Sequence, residues 1–214
     1  QLTELNLSNN QLTTLPDTLG QLMQLQSLNI SRNRLTTLPE TLGHFTQLQS
    51  LDLSNNQLTA LPASLGGLTK LLTLHIFGNE ISVLPKSLDK LKNLELLRLS
   101  KGYEGNPLGE FPDCISMLKN LRELWAQSCQ LTSLPDWIGN LANLHSLYLF
   151  NNKLVDLPVS IAQLEHLRSL EIDPYYLNPA LKSAYNAGLD ELKAYLRSLE
   201  NAEPLYEAKL VLVG

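Results

Sequence analysis

Two cysteines and four histidines are the side chains of this 214-residue chain best suited to nucleophilic, base or metal chemistry: Cys114, Cys129, His44, His75, His145 and His166. Their spacing supports none of it. No His is placed to activate Cys129, and no carboxylate pair, metal-ligand spacing or nucleophile–base arrangement stands out. No catalytic residue, metal site or cofactor is therefore expected. Asparagine behaves differently, because it recurs. Asn10, Asn33, Asn56 and Asn79 follow one another at steps of 23, Asn106 comes after a step of 27, and Cys129 and Asn152 resume the step of 23. An amide offers two donors and an acceptor, which suits a place where turning backbone leaves buried N–H and C=O groups without a ladder. Cys129 in the same slot reads as a structural cysteine.

The elements that position this ladder share its period. Leucines restart the pattern at Leu2, Leu25, Leu48, Leu71, Leu94, Leu121, Leu144 and Leu167. The third unit is complete, with Leu48, Leu51, Leu53, Asn56, Leu58, Leu61-Pro62, Leu65 and Leu68. Leu51 and Leu53 alternate with Asp52 and Ser54, the signature of a half-buried strand. Leu58 to Leu68 runs mainly on threes, which suits a turn and a tight 3₁₀-like helix on the opposite side. Pro16, Pro39, Pro62, Pro85, Pro112, Pro135 and Pro158 fix φ where the chain enters that side. One unit cannot cover its leucines, whereas stacked units can, at roughly 1.5–3 kcal/mol per buried Leu. The expected fold is an α/β repeat solenoid: a curved, parallel inner sheet, outer turns and 3₁₀ helices, and a helical cap.

Composition narrows the partners. The net charge is −5, with 16 basic against 21 acidic residues and no basic block, which disfavours nucleic acid and anionic membrane. No apolar run of about 18 residues suggests a membrane span. The sparse cysteines and the lack of a signal-peptide pattern after Gln1 point to the cytoplasm. Two sequons, at Asn6 and Asn29, are by-products of the repeat.

Residues 1–172 hold seven full repeats and a partial eighth. Repeat five carries the extra residues within Ser100–Gly105, either a tolerated bulge at the strand end or a loop that meets a partner through Tyr103. From Asp173 the pattern stops, and 173–200 reads as a two-helix cap, with Asn178-Pro179 opening the first helix. The chain starts in full register, so earlier sequence is expected to be missing. Residues 201–214 read as a linker and a buried strand, Leu210-Val211-Leu212-Val213, closed by Gly214 where a phosphate-binding loop would begin.

The quoted units resemble the leucine-rich-repeat family, of the kind with Leu-Pro on the outer side, in which Cys also occurs at the ladder position. A Leu-Pro array, then a helix ending Tyr195–Leu199, then Ala208–Gly214, is similar to the repeat domain of Roco-family GTPases. There a Ras-like domain (Roc) and a dimerising COR domain follow the repeats. The resemblance implies a dimeric parent that binds GTP and Mg in a domain absent here, and a monomeric fragment that binds partners or the parent's own GTPase. The alternative is a free-standing cytoplasmic adaptor or a bacterial effector.

Partner residues are expected between the strand leucines, on the concave face. The first three repeats carry small polar residues there: Asn6, Ser8, Asn29, Ser31, Asp52 and Ser54. Later repeats carry His75, Phe77, Arg98, Trp125, Gln127, Tyr148, Phe150, Glu171 and Asp173. Strands lie roughly 4.8 Å apart, so these aromatics should form one open patch of the types that dominate interfaces. Drift in a tolerant lattice, or cover by the extra loop or the cap, is the competing reading.

Overall fold

A computed structural model of the chain describes residues 2–101 and 103–200. The expected strand at Leu210–Val213 lies outside the described residues. In chain order the strands are β1 (Glu4–Asn6), β2 (Ser27–Asn29), β3 (Ser50–Asp52), β4 (Thr73–His75), β5 (Leu96–Arg98), β6 (Ser100–Lys101), β7 (Glu104–Gly105), β8 (Glu123–Trp125), β9 (Ser146–Tyr148) and β10 (Ser169–Glu171). Eight of them form one sheet in the order β1-β2-β3-β4-β5-β8-β9-β10, and all its pairings are parallel. Each strand's central leucine sits opposite the next, from Leu5 and Leu28 through to Leu147 and Leu170. β6 and β7 make a separate antiparallel hairpin, Lys101 opposite Glu104. The repeat-solenoid fold class expected from the 23-residue period is the one observed.

Between strands the chain crosses to the outer side, where a five-residue 3₁₀ helix follows each recurring proline. Those prolines hold φ between −75 and −65°, the ring's natural value. One apolar core runs from Leu15 to Leu196, filled by leucines at or near zero exposure. On the outer side of repeat six, Trp137 packs edge-on to Phe111 at 5.6 Å and donates to Asp113 Oδ1 at 3.0 Å.

The asparagine ladder makes the bonds its chemistry suggests. Asn56 Nδ2 donates to Ile30 O at 3.1 Å and Leu53 O at 3.0 Å, while its Oδ1 accepts from Leu35 N at 3.1 Å. Asn33, Asn79 and Asn106 repeat the arrangement. Each asparagine thus serves a carbonyl of its own repeat and one of the repeat before, so Ile30 O and Leu53 O receive two side-chain donors apiece. Cys129 interrupts this sharing. Its thiol donates to Gln127 O, at 3.3 Å, while Leu99 O is served by Asn106 and Ala126 O by Asn152. Asn10, in the first of these repeats, is exposed and donates to Leu7 O and Ser8 O.

Two helices close the other end, α1 (Pro179–Ala187) and α2 (Leu189–Glu200). Asn178 Oδ1 caps α1 by accepting from Leu181 N at 2.9 Å. Leu181, Leu192 and Leu196 are fully buried against the last repeat. An edge strand leaves unpaired backbone groups, and the cap supplies them. The Tyr185 hydroxyl donates to Leu170 O and accepts from Ile172 N, both at 3.3 Å. Lys193 Nζ donates to Leu164 O at 2.7 Å and Arg197 to Ala162 O at 3.1 Å. Burial lowers the Lys193 pKa. None of the described helices is long and apolar enough to cross a membrane.

Candidate protein-binding face

The register of the sheet builds the face directly. Asp52, His75, Arg98, Trp125, Tyr148 and Glu171 stand opposite one another on consecutive strands, all on the side away from the leucines. At the centre Arg98 stacks on Trp125, its guanidinium carbon 4.5 Å from the ring centroid. Trp125 in turn lies 4.2 Å from Tyr148, the rings inclined by 38°. Trp125 Nε1 donates to Glu123 Oε2 at 3.3 Å, which fixes the indole. These side chains remain partly open. To one side, His75 Nδ1 lies 3.9 Å from Asp52 Oδ2. Burial would raise the Asp52 pKa, but hydrogen bonds from His75 and Ser54, with the His75 charge, hold it below the usual carboxylate value. Glu171 is exposed beside Tyr148 at the far end.

The structure does not keep the later aromatics as one open patch. Phe77 is 7% exposed and Gln127 is fully buried, although both share the solvent-side parity of Trp125. The hairpin covers them. Lys101 Nζ sits 5.6 Å over the Phe77 ring, and Ser100 Oγ donates to Gln127 Oε1. The inserted residues are thus a folded cover that reaches across repeats four to seven, with Tyr103 meeting Phe150 edge-on at 6.4 Å. Gly105 permits the close fit, since a Cβ there would collide with Ser128 O. Asp173 accepts from Asn151 N at 2.6 Å and serves the turn.

Neither cysteine offers a nucleophile. Burial pushes the Cys129 thiol up to about 12 and the Cys114 thiol up to about 11, so both stay protonated near neutral pH. Among the described residues no group of three or more His, Cys, Asp or Glu could hold a metal ion. Sequence reasoning missed Arg32, Asn55 and Lys101, which line a recess with Phe77, Tyr103 and Glu104. The only hint was the position of the insertion.

Three family models match the chain: a leucine rich repeat over residues 1–58, a leucine-rich repeat region over 41–130, and a two-copy leucine rich repeat over 119–162. Among curated proteins none matches. A leucine-rich-repeat protein of Leptospira interrogans has a similar solved structure, with a TM-score of 0.78 and 37% identity over 83% of this chain and 44% of that one. The Arabidopsis receptor kinase HAESA, solved with a peptide hormone and a co-receptor, matches at a TM-score of 0.67 and 33% identity over 82% of this chain and 30% of that one. An internalin of Listeria monocytogenes shares the fold at a TM-score of 0.66 and 21% identity, over 86% of this chain and 58% of that one. The chain thus spans less than half the length of the first two.

Proposed function

The chain belongs to the leucine-rich-repeat family, and from that premise we propose that it is a protein-binding module whose partner sits on the strand face of repeats four to eight. The observation that carries the reading is the Arg98–Trp125–Tyr148 stack. Trp, Tyr and Arg are the types that most often dominate binding energy. Here they are preassembled, so little side-chain freedom is lost on binding. His75, Phe150 and Glu171 border the stack, while Phe77 lies under the hairpin and is withdrawn from this face. The HAESA complex, in which such a protein holds a peptide hormone, supports a protein or peptide ligand.

The residues Ala208–Gly214, with the Leu-Pro array before them, support a finer reading in which the module serves a cytoplasmic, dimeric Roco-type GTPase and meets its GTPase or COR domain. A free-standing adaptor or effector is equally consistent with the repeats. A Gly-Lys-Ser or Gly-Lys-Thr soon after Gly214 in the gene would favour the first, and its lack the second.

The test of the binding face is a pulldown from native lysate, wild type against the Trp125→Ala/Tyr148→Ala double variant, followed by titration of whatever is captured. Each substitution is expected to weaken binding by about 2 kcal/mol, while Ser27→Ala on the plain half leaves it unchanged. Equal affinity of the double variant and wild type would overturn the proposal.

A further inference from the structure

The hairpin does more than cover Phe77. Between it and the corners of repeats two and three lies a recess of about 740 Å³, lined by Arg32, Asn55, Phe77, Lys101, Tyr103 and Glu104. Its walls are held in place. Gly78 N donates to Glu104 O at 3.2 Å on one flank, and Gly105 is pressed against Ser128 on the other. Tyr103, 83% exposed, stands at the mouth with its ring braced by Phe150.

The charge of the recess runs against that of the molecule. The chain carries a net −5, yet this recess holds two cations against the single carboxylate of Glu104. Among the described residues the ion pairs within 4.0 Å are His75–Asp52 and Arg122–Glu95, so neither Arg32 nor Lys101 is closed into one, although Glu104 stands opposite Lys101 on the hairpin. Both cations are exposed. An apolar floor between unpaired cations complements a ligand that alternates carboxylates with apolar side chains.

We propose that this recess binds an acidic peptide segment of a protein partner, its carboxylates on Arg32 and Lys101 and an apolar side chain on Phe77 and Tyr103. The site occupies a different part of the molecule from the Arg98–Trp125–Tyr148 stack and does not depend on it.

The experiment is fluorescence polarisation with short dye-labelled peptides in which Glu alternates with Leu, Val or Phe, against the same peptides with Gln for Glu. The Glu peptides are expected to bind at least about tenfold more tightly, and to weaken as salt is raised. The Arg32→Glu variant, which leaves Lys101 over Phe77, should lose at least about tenfold in affinity with an unchanged thermal melt, since Arg32 is exposed. Trp125→Ala should leave this affinity as it is, which separates the recess from the stack. Absent binding, equal binding of the Gln peptides, or full binding by the charge-reversed variant would each overturn the proposal. So would equal competition by a single-stranded oligonucleotide, which would mark a general anion trap.

Discussion

The two halves of the sheet spend their outward side chains differently. In the first three repeats those side chains serve their own backbone: Asn6 accepts from Ser8 N, Asn29 from the Ser31 amide and hydroxyl, and Asp52 from the Ser54 amide and hydroxyl, at 2.6–3.0 Å. From repeat four onward the equivalent positions are His75, which lies beside Asp52, and Arg98, Trp125 and Tyr148, which engage one another across the strands instead. The same lattice thus supports a half whose polar groups are satisfied inwardly and a half that presents preassembled rings to solvent. A surface whose groups are already satisfied has little to offer a partner, and one whose rings are stacked and open has much.

The comparison can be broken most sharply through the ladder beneath both halves. Asn152→Leu should cost the most, about 4 kcal/mol, because Ala126 O and Leu149 O each lose their side-chain donor while Leu131 N and Cys129 N lose their acceptor. Asn56→Leu should cost only about 2 kcal/mol, since Asn33 and Asn79 still serve the carbonyls it leaves. Chemical denaturation of both variants checks the order, and a larger loss at Asn56 would refute the sharing argument. Asp52→Ala is the smallest effect, about 1 kcal/mol at neutral pH, against little change for Tyr148→Ala. The folded Asp52 pKa lies below its unfolded value, so its contribution is present above about pH 4 and is lost as pH falls through the folded pKa. The stability gap between wild type and Asp52→Ala should close on acidification. A gap that stays constant would mean the carboxylate's bonds do not stabilise the plain half.

Much of this was legible in the residues. The 23-residue step, the alternation at Leu51–Leu53 and the run of threes before each 3₁₀ helix are local patterns, and local patterns survive folding in a repeat because each unit meets only its neighbours. The Asn178-Pro179 cap was equally plain. Phe77 and Gln127 were not, for a definite reason. Side-chain parity tells which side of a strand a residue faces, but what lies over that side depends on where an insertion folds back. Nothing in Ser100–Gly105 as a string says that Lys101 comes to rest on Phe77, or that Arg32, three repeats earlier in the array, becomes its neighbour across a recess. The bonds of Asn29 and Asp52 to the residues two further on are likewise not legible, because parity does not say which exposed polar side chains bend back to their own backbone.

The cap holds the last repeat through atoms that every repeat possesses. Tyr185, Lys193 and Arg197 all bond to main-chain groups of the final strand and turn, and Leu181, Leu192 and Leu196 meet an ordinary leucine layer. It therefore reads position and not identity, as a bookend does. Gain or loss of a whole unit upstream, by slippage or unequal crossing-over of the gene, delivers the same docking surface to the same two helices. The length of the array is thereby free to drift while its termination stays constant, and reach toward a partner can change in steps of one strand spacing without a new ending having to arise.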